Sequence, residues 1–187
     1  MDIYQVDENG QLFISPDVDD RQPVMDHGIT VIFDLDSDLD VGVPTIPDQV
    51  LYLYFPFEDR ELPDLNRLHA IARLGASLIQ NGHKVLSHCG MGHNRSALLA
   101  GLIMTYLGVN GDEAVKRIRE RRMGALYNRN YAGYLQNQTS LDERIKEMIS
   151  RDREAWEQES INEGLEVGFA IKPQIFQANG NNELRLK

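Results

Sequence analysis

Residues 88–96 place one cysteine, two glycines and one arginine between two apolar segments; the stretch reads His88-Cys89-Gly90-Met91-Gly92-His93-Asn94-Arg95-Ser96. The preceding segment, residues 84–88, is short and largely apolar, which is typical of a buried strand in a parallel sheet. The following residues 96–107 are apolar nearly all round, which predicts a buried helix closed by Gly108. We therefore expect a strand, a loop and a helix in direct succession.

The composition of this loop is typical of an anion site. Backbone N–H groups and the positive end of the helix dipole meet at a helix N-terminus, where they favour a bound anion, and the two glycines let the backbone fold closely around it. The same field favours the nucleophilic thiolate form of Cys89. The guanidinium of Arg95 can bind two phosphate oxygens, and the Ser96 hydroxyl can donate a hydrogen bond to the sulfur. The sequence thus predicts a phosphate loop with a cysteine nucleophile.

The rest of the chain alternates strand and helix patterns. By periodicity we expect edge strands at 3–6 and 12–14 around an Asn9-Gly10 turn, buried strands at 29–33 and 50–55, a helix opened by Pro63 and stopped by Asn81-Gly82, and helices at 112–122 and 131–138. This order predicts an α/β fold with a single domain and a central, mostly parallel sheet flanked by helices on both faces. The phosphate loop would lie at the carboxyl end of the strand ending at His88, where open α/β sheets bind ligands.

The C-terminal part has a different pattern. Residues 141–160 predict a surface helix docked on the body, and residues 165–171 alternate at strand period. We expect a catalytic domain over 1–162 and an extension over 163–187 that packs back on it, pairs with a second copy in a homodimer, or is partly disordered.

Composition excludes several classes of function. The 187 residues suffice for about one domain, and the net charge of −10 disfavours nucleic acid and anionic membranes as partners. No stretch approaches 18 apolar residues, so no membrane span is expected. The acidic start of the chain is unlike a signal peptide, which predicts a cytoplasmic protein. One cysteine allows neither an intrachain disulfide nor a cysteine-rich metal cage, and we expect neither metal nor organic cofactor.

Residues 88–96 resemble the signature of the cysteine-dependent protein tyrosine phosphatase superfamily, which is His-Cys, five residues, Arg, then Ser or Thr. Residues 54–59 resemble the strand end and general-acid loop of its dual-specificity branch, and Asp59 precedes Cys89 by 30 residues, about the separation of that branch. The RIRERR run with Asn128 and Tyr131 is similar to the branch's last core helices, so the likeness covers roughly 11–138. The triplet Trp-Pro-Asp is replaced by Phe57-Glu58-Asp59, which favours the small dual-specificity phosphatases.

The resemblance implies a protein tyrosine phosphatase-like fold and two-step phosphoryl transfer without a cofactor. Cys89 would be the nucleophile and Asp59 the general acid and then the base, while Ser96 would assist the sulfur and His88 would orient the loop. Substrate would be bound by Gly90, Met91, Gly92, His93, Asn94 and Arg95. We expect protein phosphotyrosine as substrate, with phosphoserine and phosphothreonine as further candidates.

Several alternatives stay open. Asp64 is the second candidate for the acid. Asn94 carries no charge and His93 carries one only below about pH 6.5, which disfavours inositol polyphosphates. Asn before Arg is similar to the RNA 5′-triphosphatase branch, although Ser96-Ala97 stands where Thr-Gly is common there. RNA or nucleotide 5′-phosphates, glucan and inositol phosphates therefore remain alternative substrates, and a non-catalytic phosphate-binding module remains an alternative function. A rhodanese-type sulfurtransferase is disfavoured, because its loop is typically one residue shorter.

Two charged runs are predicted to be solvated. Asp34, Asp36, Asp38 and Asp40 alternate as in a calcium loop, but Leu39 and Thr45 replace the glycine and glutamate of an EF-hand, so we expect a solvated loop. The arginines of the RIRERR region are expected on the wet face of a helix, with an acidic phosphoprotein as a further candidate partner; they are Arg117, Arg119, Arg121 and Arg122.

Overall fold

The computed structural model describes residues 1–37 and 48–139, together with the helical positions Arg151, Glu154 and Gln158. The chain divides into two compact units, 1–147 and 148–187. The first unit contains, in chain order, β1 Tyr4–Gln5, β2 Leu12–Ser15, α1 Gln22–Asp26, β3 Val31–Asp34, β4 Leu51–Tyr54, α2 Leu65–Gln80, β5 Val85–His88, α3 Arg95–Tyr106, α4 Gly111–Arg121 and α5 Arg129–Gln136.

The five strands form one sheet in the order β1-β2-β5-β3-β4, in which every neighbouring pair except β1 and β2 is parallel. The predicted Asn9-Gly10 hairpin is confirmed, with Gly10 at φ +72°. The Asp7 carboxylate holds the turn by accepting hydrogen bonds from the backbone N–H groups of Gln11 and Leu12. The central, mostly parallel sheet is therefore confirmed.

Two strand positions differ from the expectation. β2 is not an edge strand, because it lies between β1 and β5 with all four residues buried. Conversely β4, expected to be buried, is an edge strand, with Leu51 47% and Tyr54 44% exposed. A short apolar run signals a strand but does not specify how many neighbours it will have, so the pattern could not separate these two positions.

Alternating residues of the sheet divide the core between its faces. Leu12, Val31 and Val85 share one core cluster with α2 and α3, whereas Phe13 and Ile32 face a smaller cluster that includes Val24 of α1. Helices thus lie on both faces, as expected, but the five-residue α1 is the only described helix in the smaller cluster. The larger layer is the one that holds the phosphate loop, since α3 begins there.

The helix α3 is fixed by close packing. Its residues 96–105 are all buried, which confirms the predicted central helix. A Cβ on Gly75 of α2 would lie 2.7 Å from Ile103 Cδ1, and a Cβ on Gly101 would lie 2.7 Å from Leu135 Cδ1 of α5. Glycine thus permits a close approach of α3 to α2 and of α3 to α5.

The other predicted helices lie within a few residues of their expected bounds. α2 ends at Asn81-Gly82, where Gly82 has φ +88°, and α4 and α5 occupy the expected positions. None of the described helices combines the length and apolar character that crossing a bilayer requires. In the second unit the three described positions are helical and exposed, as the polar face of a surface helix would be. The domain boundary predicted at 162/163 and the strand-like residues 165–171 lie outside the described residues.

Candidate active site

The phosphate loop turns the chain between His88, the last residue of β5, and Arg95, the first residue of α3. Gly92 makes the turn possible: its φ is +62°, and a Cβ there would lie 2.4 Å from the backbone carbon of Ser15. The Gly92 N–H donates to the Cys89 carbonyl at 3.0 Å. The loop is therefore packed tightly against the carboxyl end of β2.

The cysteine lies at the base of this loop. Cys89 is 2% exposed, and its Sγ is 3.5 Å from Oγ of the buried Ser96. This is hydrogen-bonding distance for sulfur; in the thiolate form the serine hydroxyl is the donor. The structure thus brings together the predicted nucleophile and the predicted partner of its sulfur.

Arg95 is fixed by three neighbours. Its Nη2 lies 2.9 Å from Asp36 Oδ1, and its Nη1 donates to the carbonyls of Leu35 at 2.8 Å and Phe57 at 3.0 Å. Within the described residues its buried Nε has no hydrogen-bond acceptor. Burial alone would lower the pKa of Arg95, but the charges of Cys89 and Asp36 raise it above its usual value. The guanidinium stays charged and keeps a donor for a bound anion.

Two of the alternating aspartates belong to the site, which corrects the expectation of a solvated loop. Asp34 is fully buried, accepts from the Asp36 N–H at 2.9 Å and from the Tyr52 hydroxyl, and lies 3.6 Å from His88 Nε2. Burial alone would raise the pKa of Asp36, but hydrogen bonds from the Ser37 N–H and from Arg95 lower it. The calcium interpretation also rested on Asp38 and Asp40, and these lie outside the described residues.

Asp59 reaches the same cavity as Arg95. This cavity, of about 600 Å³, is lined by Asp36, Ser37, Tyr54, Pro56, Phe57, Glu58, Asp59, Arg60 and Arg95. Asp59 Oδ2 accepts from Asn94 Nδ2 at 2.8 Å and Oδ1 accepts from Asn128 Nδ2 at 3.2 Å. The alternative acid, Asp64, is the N-cap of α2, where its Oδ1 accepts from the N–H groups of Asn66 and Arg67. Of the two candidates for the general acid, Asp59 is the one that lines the same cavity as Arg95.

A larger cavity, of about 650 Å³, lies at the opposite end of the sheet. It is lined by the β1–β2 turn and by the C-terminal ends of α2 and α3, and includes Gln11, Ile79, Met104 and Arg117. None of the predicted catalytic residues reaches it.

The remaining residues of the phosphate loop differ in what their side chains do. Met91 is 65% exposed, whereas Asn94 is 1% exposed and its side chain is bonded within the protein rather than facing a ligand. Burial and the charge of Arg122 lower the pKa of His93, whose ring is 6.2 Å from that of Tyr127. The His93 ring is therefore neutral at pH 7, and Arg95 supplies the positive charge of the phosphate loop.

The basic run near α4 is only partly a wet face. Arg119 and Arg121 are exposed, as expected. The expectation is wrong for Arg122, which is buried with its guanidinium 4.2 Å from the centre of the Tyr4 ring and donates to the Met91 carbonyl at 2.7 Å. Arg122 thus holds the phosphate loop through its hydrogen bond to the Met91 carbonyl.

The segment that carries Asp59, residues 57–61, is called the acid loop below, and α5 holds it in a way that the residue pattern did not predict. The buried Tyr131 hydroxyl donates to the carbonyls of Glu58 at 3.0 Å and Glu61 at 3.1 Å. Burial, with the charge of Asp59 nearby, raises the pKa of Tyr131 to about 12, so the hydroxyl remains a donor. Asn128 adds its bond to Asp59. Both residues were part of the family resemblance, but the sequence assigned neither of them a role toward Asp59.

Within residues 1–37 and 48–139, no group of three or more His, Cys, Asp or Glu side chains is arranged to hold a metal ion. The predicted independence from metal and cofactor stays a prediction.

Several solved structures are similar to this fold. The fold is similar to a human tyrosine phosphatase-like serine/threonine/tyrosine-interacting protein, with 23% identity, a TM-score of 0.59, and coverage of 72% of this chain and 93% of that one. It is also similar to a mouse dual specificity phosphatase complexed with zinc tungstate, with 25% identity, a TM-score of 0.61, and coverage of 72% and 84%. PTPMT1 in complex with PI(5)P has 19% identity, a TM-score of 0.61, and coverage of 81% and 99%.

A comparison with curated proteins found no match. A model of the family "Dual specificity phosphatase, catalytic domain" matches residues 12–140, which is more than half of the chain. This range contains β2 through α5, the phosphate loop, the acid loop and both asparagines that hold Asp59. The resemblance stated from the residues is confirmed, and the chain belongs to the dual specificity phosphatase catalytic domain family.

Proposed function

We propose that the protein is a cysteine-dependent phosphatase that hydrolyses protein phosphotyrosine, and also phosphoserine and phosphothreonine, through a cysteinyl-phosphate intermediate. The observation that carries the proposal is the convergence of Cys89, Arg95 and Asp59 at one end of the sheet. The nucleophile is paired with Ser96, the guanidinium keeps an unused donor, and the acid lines the same cavity as the guanidinium.

In the first step the Cys89 thiolate attacks phosphorus. The S–P bond forms while the bond from phosphorus to the leaving oxygen breaks, and protonated Asp59 gives its proton to that oxygen. Arg95 and the loop amides stabilise the charge on the three other oxygens. Asn94 makes no side-chain hydrogen bond to the first turn of α3, so the N–H groups of that turn are not capped by it.

In the second step water replaces the sulfur. The Asp59 carboxylate takes a proton from the attacking water, a new O–P bond forms and the S–P bond breaks. The Ser96 hydroxyl, 3.5 Å from Sγ, donates a hydrogen bond to the departing thiolate. Inorganic phosphate is released, and Asp59 is again protonated for the next turnover.

The cavity beside the acid supports an aryl ester as substrate. Tyr54, Pro56 and Phe57 give it apolar walls next to Arg95, and such a surface suits a phosphotyrosine ring. The lowered pKa of His93 and the internal bonds of Asn94 leave no second cation on the loop for further phosphates. These features, with the net charge of −10, argue against inositol polyphosphates and RNA.

The location follows from the nucleophile. A cysteine that must stay reduced is suited to a reducing compartment, so we place the protein in the cytoplasm.

The proposal is tested with wild type and Cys89→Ser on a panel of phosphotyrosyl and phosphoseryl peptides, an RNA 5′-phosphate, a phosphorylated glucan and a phosphoinositide. Wild type is expected to turn over the phosphotyrosyl peptide fastest, to be inhibited by vanadate and to be unaffected by EDTA. The serine variant should lose turnover but retain tungstate binding by calorimetry, because its hydroxyl is not ionised near neutral pH. Turnover by Cys89→Ser would contradict the covalent mechanism. If wild type prefers another member of the panel, that compound class replaces protein phosphotyrosine as the proposed substrate.

The acid is tested separately. Asp59→Asn is expected to lower the rate on a substrate with a poor leaving group by about 10²–10⁴-fold. Asp64→Asn is the matched control, because asparagine caps a helix about as well as aspartate and the rate should be unchanged. The opposite result would assign the acid to Asp64.

A further inference from the structure

The side chain of Asn94 connects the phosphate loop to the general acid. Its Nδ2 donates to Asp59 Oδ2 at 2.8 Å, and its Oδ1 accepts from the Asn128 backbone N–H at 3.0 Å. With 1% of the residue exposed, water cannot readily replace these bonds.

The orientation of this amide is dictated by its partners. The Asn128 N–H is a donor only, so the oxygen of Asn94 must face it, and the NH₂ group is left to face the carboxylate. The reverse orientation would set oxygen against the Asp59 carboxylate and NH₂ against the N–H group. Asn94 is therefore fixed as a donor to the acid.

The second carboxylate oxygen is held from α5. Asn128 Nδ2 donates to Asp59 Oδ1 at 3.2 Å and to the Arg60 carbonyl at 3.1 Å, while Asn128 Oδ1 accepts from the Asn130 N–H as the cap of α5. One donor for each oxygen fixes the plane of the carboxylate. Among the side-chain bonds of the described residues, Asp59 accepts these two, which leaves lone pairs for the proton that the reaction requires.

We infer that Asn94 is a positioning residue for the acid and base steps, in addition to its place in the phosphate loop. The inference rests on the proposed function. Asn94 immediately precedes Arg95, so the segment that binds the phosphate also sets where Asp59 meets the leaving oxygen. Misplacing a catalytic group by about 1 Å can lower a rate about 10²-fold.

The consequence can be measured through the leaving group. Phenyl phosphate needs a proton as its bond breaks, whereas a highly acidic phenol such as 2,4-dinitrophenol leaves without one. Asn94→Ala is expected to lower kcat/KM for phenyl phosphate about 10- to 100-fold, and to change kcat/KM for the dinitrophenyl ester less than about 3-fold. Tungstate affinity should stay within about 3-fold, because Arg95 and the loop amides are retained.

A double variant separates positioning from a general effect. Asp59→Asn with Asn94→Ala should be no slower on phenyl phosphate than Asp59→Asn alone, since the positioned acid is already absent. Asn130→Ala is the matched control, because Asn130 is an exposed asparagine two positions after Asn128, and its amide approaches Glu61 rather than Asp59. It should behave as wild type. If thermal melting shows that Asn94→Ala does not fold, Asn94→Ser is measured in its place.

Equal losses on both esters, or additive losses in the double variant, would overturn the inference and leave the proposed function standing. Turnover by Cys89→Ser, or an inactive wild type, would instead reject the proposed function and the inference with it. The inference is supported if Asn94→Ala slows turnover of phenyl phosphate but not of the dinitrophenyl ester. It also requires that adding Asn94→Ala to Asp59→Asn causes no further loss.

Discussion

At the scale of single residues, Gly92 has the strictest requirement in the phosphate loop. Its positive φ is unfavourable for other residues, and a Cβ would lie 2.4 Å from the Ser15 carbon and 2.5 Å from the Pro16 nitrogen. Both neighbours are backbone atoms, so neither can rotate away.

We therefore expect Gly92→Ala to lower the free energy of unfolding by about 1–3 kcal/mol and to abolish tungstate binding. Urea denaturation and calorimetry measure the two effects. Gly133→Ala in α5 is the matched control, because its Cβ would meet no atom within 4 Å and the change should be neutral or stabilising. Normal anion binding by Gly92→Ala would show that the loop tolerates rearrangement.

His93 makes the stability of the folded protein depend on pH. Burial and the charge of Arg122 lower its pKa in the folded state, so the unfolded chain takes up this proton at a higher pH than the folded protein does. The stability that the neutral ring contributes is fully present above the pKa of His93 in the unfolded chain, about 6.5. It is lost as the pH falls toward the pKa of His93 in the folded protein.

Stability of wild type relative to His93→Gln should therefore decrease as the pH is lowered below about 6.5, and urea denaturation at several pH values measures this difference. A difference that is constant between pH 5 and pH 8 would contradict the lowered pKa. Tungstate binding at the same pH values shows whether the charged ring changes the phosphate loop.

At the scale of elements, Tyr131 of α5 and Arg95 of α3 both donate hydrogen bonds to carbonyls of the acid loop. Tyr131→Phe removes the hydroxyl that donates to the Glu58 and Glu61 carbonyls while keeping the buried ring. We expect a loss of about 1–3 kcal/mol in the free energy of unfolding, because two acceptors lose their donor. We also expect a lower rate on phenyl phosphate. Tyr127→Phe, on an exposed tyrosine, is the control for urea denaturation. Equal stabilities of the two variants would show that water replaces the hydroxyl.

The elements that the sequence predicts are those defined by neighbours along the chain. β5, the loop and α3 follow one another without interruption, and their apolar pattern and glycines were sufficient to place Cys89, Arg95 and Ser96 together. The edge position of β4 and the interior position of β2 depend on pairing with distant strands, which no local period reports. The same holds for Asn128 and Asp36, whose partners Asp59 and Arg95 lie about 60 to 70 residues away in the sequence.

At the scale of the whole molecule, the carboxyl ends of the parallel strands carry the chemistry. Asp36 follows β3, the acid loop follows β4 and the phosphate loop follows β5, so three successive connections meet at one edge of the sheet. This is the general ligand position in open α/β sheets. The start of α5 joins the arrangement, because its N-cap residue Asn128 bonds both to Asp59 and to Asn94.

The C-terminal segment 165–187 begins with an alternating apolar pattern that predicts burial. Leu165, Val167, Phe169 and Ile171 would all point to one face of a strand, and leaving each in water forgoes burial of about 1.5–3 kcal/mol. We expect this face to be covered, either by the same chain or by a second copy across a two-fold axis. The family match ends at residue 140, so truncation after Gly164 should leave turnover of phenyl phosphate intact.

Light scattering and thermal melting of the truncated chain decide between these arrangements. A halved mass would identify pairing with a second copy, whereas an unchanged mass with a lower Tm would identify packing on the same chain. Unchanged mass and unchanged Tm would show that the segment is dispensable and that its apolar face is not covered. Loss of turnover with retained Tm would instead place the segment at the active site, because stability and catalysis would then depend on different contacts.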